Sequence, residues 1–289
     1  MAELIDINMV KKNFKSREKD TNKGTFGTLA LFCGSPQMTG AAVLASRAAM
    51  RSGVGMVNLF IPKSIHTILA SLMIEPVFTI FSENEHGVIS KNYANEILKK
   101  LEKSTACLVG CGLGQNEDTK QIVYEIIKNY RGPLIIDADG INAVSQNIDV
   151  LRAAKSSVIL TPHPGEMSRL VGLSVSSINE NREQVALDFA RENNVIVVLK
   201  GYETIVALPN AKVFKNTTGN PGMSTAGAGD VLAGMIGAFL AQGMAPIDSA
   251  ISGVLLHGMA GDICAKELSE ISVCATDIVN KLPETFLKM

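Results

Sequence analysis

Short apolar runs alternate along the chain with longer stretches in which apolar residues follow a helical spacing. Continuous apolar runs are typical of strands that are covered on both faces, as in parallel sheets. The runs predict strands over residues 28–32, 56–61, 107–109, 134–136, 158–160 and 195–199. The periodic stretches predict helices over residues 41–50, 93–101, 119–129, 180–191, 231–241 and 247–267.

This alternation predicts an α/β fold in which a mostly parallel sheet lies between two layers of helices, with right-handed crossovers. A chain of 289 residues is long enough for two average domains, but α/β folds of this length often form around one sheet. No linker rich in Pro, Ser or Gly and no repeat at a fixed period is visible. We therefore expect residues 1–289 to form a single domain.

Composition narrows the class of protein. Apolar residues make up 46% and charged residues 19% of the chain, which fits a well-buried core rather than disorder. A formal net charge of -1 gives no general attraction to nucleic acid or to an anionic membrane, so we expect neither as a partner. Five scattered cysteines are typical of reduced thiols in a reducing compartment. The N-terminus carries acidic residues where an export signal has a basic start and an apolar stretch, so we expect a cytoplasmic protein.

A loop of glycine and small residues leads directly into the apolar helix predicted after residue 230. Gly227, Ala228 and Gly229 bring several backbone N–H groups to a helix N-terminus, an arrangement that binds phosphate. Asp230 follows them, and a carboxylate there can accept a proton from a substrate hydroxyl as its oxygen attacks phosphorus. The alternative interpretation is that Asp230 is only a helix cap.

Two further polar groups follow predicted strands, where ligands of open α/β sheets bind. His163 and Glu166 come after the strand at 158–160, in a turn stiffened by two prolines, although a loop histidine is often structural. Lys200 and Gly201 come after the strand at 195–199, where they can approach a phosphate or simply begin a hairpin into residues 205–208.

Other turns are less specific. Asp137 and Asp139 follow the strand at 134–136 and could orient Mg²⁺ waters or a polar substrate group, or Asp139 could only cap a helix. The glycine-rich turns at 34–42 and 110–114 match neither the dinucleotide fingerprint nor the P-loop, which disfavours a plain NAD-dependent dehydrogenase or P-loop ATPase. Cys107 and Cys111 lack the partners of a zinc site and are interpreted as structural.

On these motifs the chain resembles the ribokinase-like superfamily, whose Gly-x-Gly-Asp motif matches residues 227–230. Residues 161–167, 219–223 and 229–234 make it more closely similar to the ADP-dependent NAD(P)H-hydrate dehydratases. The resemblance implies a three-layer α/β/α ribokinase-like fold with a central, mostly parallel sheet. It also implies that ADP, or ATP, drives dehydration of the S-epimer of NAD(P)H-hydrate to NAD(P)H, with release of AMP and phosphate.

The same resemblance implies roles for individual residues. The catalytic group is Asp230 with the anion-binding Gly227, Ala228 and Gly229. The hydrate is bound by Ala42, Gly112, Gly114, His163 and Asp230. The adenine nucleotide is bound by Lys200, Gly201, Tyr202, Glu203, Thr204 and Gly229.

The family works with Mg²⁺ that bridges phosphates, so no protein metal ligand is expected. A homo-oligomer, often a tetramer, is usual, and epimerase activity is expected on a separate chain because this one has no room for the domain that many relatives carry. Ala226 and Ala228 stand where the family commonly has Gly and Thr, and Ala228 brings the loop closer to that of sugar and vitamin-precursor kinases. The alternatives are therefore a small-molecule kinase acting on a hydroxyethylthiazole or hydroxymethylpyrimidine, and a nucleotide-sensing protein without turnover.

Overall fold

One mixed sheet runs through the molecule, and buried apolar residues form its central strands. The structure, a computed structural model, describes residues 2–14 and 16–289. Its strands are β1 (Glu3–Leu4), β2 (Thr28–Phe32), β3 (Met56–Pro62), β4 (Val77–Phe81), β5 (Ala106–Val109), β6 (Leu134–Ile136), β7 (Val158–Leu160), β8 (Ile196–Leu199), β9 (Ile205–Ala207) and β10 (Val213–Lys215). They lie in the order β1-β10-β9-β8-β7-β6-β5-β2-β3-β4, and all neighbours are parallel except β8–β9 and β9–β10.

Helices cover both faces of the sheet. They are α1 (Ile7–Lys11), α2 (Thr39–Arg51), α3 (Lys63–Leu72), α4 (Ala94–Leu101), α5 (Glu117–Asn129), α6 (Ala138–Ser145), α7 (Pro164–Val171), α8 (Val175–Glu180), α9 (Arg182–Asn193), α10 (Ala228–Ala241), α11 (Pro246–Leu268) and α12 (Ala275–Leu287). Short 3₁₀ turns join some of these elements. Among residues 2–14 and 16–289, no helix has the length and apolar character that crossing a bilayer requires.

The side chains of each central strand divide between two cores. Leu29 and Leu31 of β2 pack with α2, α10, α11 and α12, whereas Ala30 and Phe32 pack with α4, α5, α7 and α9. This division follows from the alternation of side chains along a strand, and it explains why the central strands are apolar at every position. The predicted three-layer α/β/α arrangement is confirmed.

Helix α10 is the most deeply buried helix next to the sheet. Twelve of its 14 residues are buried, and the other two are Gly229 and Asp230 in its first turn. It packs so closely on α2 that a Cβ at Gly234 would lie 2.3 Å from the carbonyl oxygen of Ala45. The helix therefore holds its own N-terminus in a fixed place at the edge of the sheet.

The predicted elements differ from the observed ones mainly at their ends. All six predicted strands are present, with bounds shifted by at most one residue at either end. The helix predicted over 180–191 is present as α9 but begins at Arg182, after α8 has ended at Glu180. Asn181 between them has a ψ of 36°, outside the helical region, which separates the two helices.

Candidate active site

Three polar side chains meet where neighbouring parallel strands end. Asp137 follows β6, Thr161 follows β7 and Lys200 follows β8. The first turn of α10 reaches the same edge and brings Asp230 close to Asp137. The sheet edge therefore gathers two carboxylates, one hydroxyl and one ammonium, the groups needed to bind and transfer a phosphoryl group.

Asp137 is the centre of a buried hydrogen-bond network. Its Oδ1 accepts from Lys200 Nζ at 2.7 Å and from Thr161 Oγ1 at 2.7 Å, and its side chain is only 2% exposed. Lys200 Nζ also lies 3.9 Å from Oε2 of Glu166. Burial by itself lowers the pKa of Lys200, but Asp137 and Glu166 outweigh burial and raise the pKa overall, so the ammonium stays charged.

Asp230 lies in a different environment. Burial, and then the negative charge of Asp137, raise its pKa to about 6. The Cys111 thiol and Lys200 act in the opposite direction and do not cancel the increase. A carboxylate with a pKa near 6 is ionised at neutral pH and still accepts a proton readily, which suits a general base.

The loop before Asp230 has a backbone that only glycine tolerates. Gly227 has a φ of +90°, and a Cβ there would lie 2.3 Å from Cδ1 of Leu44. At Gly229 a Cβ would lie 3.2 Å from Lys200 Nζ, so the ammonium faces the same loop. Unpaired N–H groups of a helix N-terminus and a lysine thus converge on one point, which favours an anion there.

His163 is fixed as the N-cap of α7. Its Nδ1 accepts from the backbone N–H groups of Gly165 at 2.9 Å and Glu166 at 3.2 Å, while Glu166 Oε2 accepts from the His163 N–H at 2.8 Å. The neutral ring therefore carries its proton on Nε2, and its side chain is half exposed. Burial, Lys200 and Arg169 lower the pKa of His163, so it offers an uncharged donor at neutral pH.

The glycine-rich turn after β5 packs on the start of α2. Gly112 has a φ of +63°, and a Cβ there would lie 2.8 Å from Cβ of Ala41. Ala42 is fully buried beside Gly34. A polar cleft of about 330 Å³ begins at Gly114 and runs between α5 and α6.

Asp139 shapes this cleft rather than capping a helix with its side chain. Its carboxylate accepts from Gly114 N at 2.9 Å, from Gln115 Nε2 at 3.1 Å and from Asn142 Nδ2 at 3.2 Å. Ala138 between the two aspartates has a φ of +46°, an uncommon conformation for a residue other than glycine. This turn lets Asp137 face the phosphoryl site while Asp139 holds the Gly114 turn.

The turn after Lys200 lies at the rim of the site. Tyr202 is 90% exposed, and Thr204 Oγ1 donates to the carbonyl of Gly201 at 3.0 Å. Glu203, with a φ of +53°, forms an ion pair with Lys215 at 3.2 Å. The turn leads into the antiparallel pair β8–β9, so the hairpin expected from the sequence is present. Contact of its residues with a nucleotide stays a prediction.

Cys111 is buried, as the sequence interpretation expected, but it also lies inside the site. Its Sγ and one carboxylate oxygen each of Asp137 and Asp230 lie within 4.8 Å of one another. A hydrogen bond with Cys33 and burial raise the pKa of the Cys111 thiol, so it is protonated and is not a ligand for a hard cation. Among the residues that the structure describes, Asp137 Oδ2 accepts only this weak donor, at 3.5 Å, and is therefore the oxygen that could face a Mg²⁺ carried by a nucleotide.

Sequence reasoning assigned no role to Thr161 beyond its position in the turn, and it treated Cys111 as purely structural. Asp137 was recognised as a polar residue after a strand, but its pairing with Lys200 spans 63 positions and leaves no trace in local spacing. The only signal available was that each residue directly follows a buried apolar run.

Known proteins with similar sequences indicate which family this chain belongs to. The family described as NAD(P)H-hydrate dehydratase matches residues 29–284. A bifunctional NAD(P)H-hydrate repair enzyme of Moorella thermoacetica is 37% identical over 97% of this chain, which spans 53% of that protein. An ADP-dependent (S)-NAD(P)H-hydrate dehydratase of Neisseria meningitidis is 35% identical over 86% of this chain and 81% of its own length.

A solved structure agrees with the sequence comparison. The ADP/ATP-dependent NAD(P)H-hydrate dehydratase of Bacillus subtilis, co-crystallised with ATP/Mg²⁺, superposes with a TM-score of 0.85 at 27% identity. The superposition covers 99% of this chain and 98% of that one, so the predicted ribokinase-like fold is confirmed. The chain spans about half the length of the bifunctional relatives it matches. On the family match and these relatives together, this chain belongs to the NAD(P)H-hydrate dehydratase family.

Proposed function

We propose that this protein uses ADP, or ATP, to dehydrate the S-epimer of NAD(P)H-hydrate to NAD(P)H. The observation that carries the proposal is Asp230, a carboxylate with a pKa of about 6 in the first turn of α10, next to the anion-binding loop and Lys200. Relatives named as dehydratases of this substrate favour this function over the alternative of a vitamin-precursor kinase.

Asp230 acts as the general base of the first step. It takes the proton from the hydroxyl of the hydrate, whose oxygen attacks the terminal phosphorus of ADP. The P–O bond to AMP breaks, and AMP leaves with the electron pair of that bond. The N–H groups of the loop from Gly227 to Gly229, together with Lys200, stabilise the charge on the phosphoryl oxygens during transfer.

The second step removes the phosphorylated hydroxyl. Hydroxide is a poor leaving group, whereas phosphate departs readily when the ring nitrogen donates its electron pair. Loss of a proton from the neighbouring ring carbon then restores the double bond, so the products are NAD(P)H, AMP and phosphate. His163, whose Nδ1 is held by the backbone N–H groups of Gly165 and Glu166, is predicted to contact the hydrate.

Mg²⁺ accompanies the nucleotide in this proposal and neutralises charge on its phosphates when bound. Asp137 would face it through Oδ2, since Oδ1 is occupied by Lys200 and Thr161. Ala42, Gly112 and Gly114 remain the predicted contacts of the hydrate. Residues 201–204 remain the predicted contacts of the nucleotide.

We further propose that residues 1–289 act as one domain in a cytoplasmic homotetramer, with epimerase activity on a separate chain. Exposed apolar residues of α3, β4 and the turn between them support self-association, because β4 is an edge strand of the sheet. These residues are Ile68, Leu72, Ile74, Val77 and Ile80, each at least 44% exposed. Light scattering coupled to size-exclusion chromatography tests the assembly, and a monomer at micromolar concentration would contradict it.

The decisive experiment is recovery of coenzyme. The purified protein is incubated with hydrated NADH or NADPH and Mg²⁺, with ADP or with ATP, and the reduced-nicotinamide absorbance is followed. We expect the absorbance to rise in step with AMP when ADP is the donor. Consumption of nucleotide without recovery of NAD(P)H, or no turnover with either donor, would refute the proposal.

A further inference from the structure

A cavity of about 680 Å³ lies at the opposite edge of the sheet from the candidate active site. It opens beside Phe26 and Gly53, which precede β2 and β3, and beside Gln242, which follows α10. Asp230 lies in the first turn of α10, so the 14 residues of this helix, about 20 Å in length, separate the cavity from the phosphoryl site. A ligand in this cavity therefore does not overlap with the proposed substrates, and the volume is ample for a small molecule.

One wall of the cavity is formed by three phenylalanine rings. Phe14, Phe239 and Phe286 pack against one another with ring centroids between 5.2 and 6.3 Å apart. Phe239 is buried in α10, whereas Phe14 and Phe286 are half-buried, and all three line the cavity. Such rings offer an apolar surface on which a flat ligand ring can pack.

The remaining lining carries more positive than negative charge. Lys12, Arg17 and Arg51 line the cavity together with one acid, Asp248. Among residues 2–14 and 16–289, none of these four side chains forms an ion pair. The whole chain has a formal net charge of -1, so a concave site with an excess of unpaired cations differs from the average surface and favours an anion.

Arg17 is held in place by contacts that leave most of its donors available. Its Nη2 donates to the carbonyl of Gly53 at 2.6 Å, and its guanidinium carbon lies 3.8 Å from the centroid of the Phe26 ring. The donors that Gly53 does not use can bind a phosphate in a forked geometry. Gln242 Nε2 donates to the carbonyl of Ser52 at 2.9 Å and ties this wall to the end of α10, so the cavity is preformed.

We propose that this cavity binds an anionic ligand with an aromatic ring, of the chemical class of nucleoside monophosphates. The phenylalanine rings take the base, and Arg17 and Arg51 take the phosphate. A purely apolar ligand would leave the cations without a partner, and a bare phosphate would leave the phenylalanine rings in contact with water. The site does not depend on the proposed function, because Asp137, Lys200 and Asp230 do not line it.

Hydrogen exchange measured during titration with AMP locates binding segment by segment. We expect AMP to slow amide exchange in the segments around Phe26, Gly53 and Gln242. Protection of residues 200–204 reports the proposed nucleotide site separately. Adenosine lacks the phosphate and inorganic phosphate lacks the ring, so each should protect the cavity segments only at concentrations at least about tenfold higher than AMP.

Arg51→Gln removes a cation that forms no ion pair, so the fold should be kept. It should raise the AMP concentration that protects the cavity segments about tenfold and leave residues 200–204 unchanged. Arg47→Gln is the matched control, since Arg47 lies one turn earlier on α2 and donates to the carbonyl of Leu72 at 2.9 Å. Equal protection of the cavity segments in wild type and Arg51→Gln would overturn the proposal. Absence of protection by both AMP and nicotinamide mononucleotide at millimolar concentration would overturn it as well.

Discussion

Replacing Asp230 by asparagine should abolish turnover and at the same time stabilise the fold at neutral pH. The pKa of Asp230 is raised from 3.8 to about 6, so the native state holds its charged form less readily than the unfolded chain does. At about 1.4 kcal/mol for each pKa unit, this difference corresponds to about 3 kcal/mol. Solvent screening of a side chain that is not fully buried reduces the expected gain to about 2 kcal/mol.

The sign of the pH dependence follows from linkage. Because the folded pKa lies above the unfolded one, the native state binds more protons and wild-type stability falls as pH rises from about 4 to about 6. The stabilisation by Asp230→Asn should therefore be fully present above pH 6 and vanish below pH 4. Urea unfolding of both proteins at half-unit pH steps measures it, and coenzyme recovery measures the loss of activity.

Asp139→Asn is a matched control in the same site. Its carboxylate accepts three hydrogen bonds, from Gly114, Gln115 and Asn142, and an amide oxygen cannot replace both carboxylate oxygens. We expect this variant to lose about 1 to 2 kcal/mol at pH 7. The reasoning about Asp230 is refuted if Asp230→Asn is less stable than wild type at pH 7, or if its gain in stability is the same at pH 4 and pH 7.

Three further results are expected. The value of kcat should fall about tenfold for each pH unit below pH 6, because only ionised Asp230 accepts a proton, and a flat pH–rate profile from 4.5 to 7 would contradict this. Lys200→Met should raise the KM for nucleotide at least about tenfold and lower the unfolding free energy by roughly 3 kcal/mol, since Asp137 is left buried without its cation; initial rates and urea midpoints measure both. Gly227→Ala should cost roughly 1 to 3 kcal/mol of stability and most of kcat, because the φ of +90° and the contact with Leu44 exclude a Cβ; wild-type values in either assay would refute the strain.

The central sheet could be predicted from the sequence because its strands are apolar on both faces. The edge strand β4 was missed because Thr79 divides its apolar residues into two short pairs, and the exposure of Val77 to Ile80 at the sheet edge cannot be read from the sequence pattern. Helix α12 was missed as well, since Pro283 lies inside it and reads as a helix breaker.

The sequence predicted which loops form the candidate site, but it did not predict which side chains from different loops contact each other. Gly227 and Asp230 stand out locally, because glycine and an acid before an apolar helix have a direct physical meaning. The contact between Lys200 and Asp137 depends on the order of β6, β7 and β8 in the sheet, which strand patterns alone do not determine.

The burial of α10 determines which parts of the site can adapt to a ligand. A helix enclosed on nearly all sides cannot tilt or slide without opening cavities in a close-packed interior, so its first turn keeps the same position before and after a ligand arrives. Any closure around a bound ligand must then come from the surface turns, such as the one that begins with the exposed residues Gly201 and Tyr202. The residues that need a fixed position therefore lie on α10, and the residues that can move when a ligand binds lie in the surface turns.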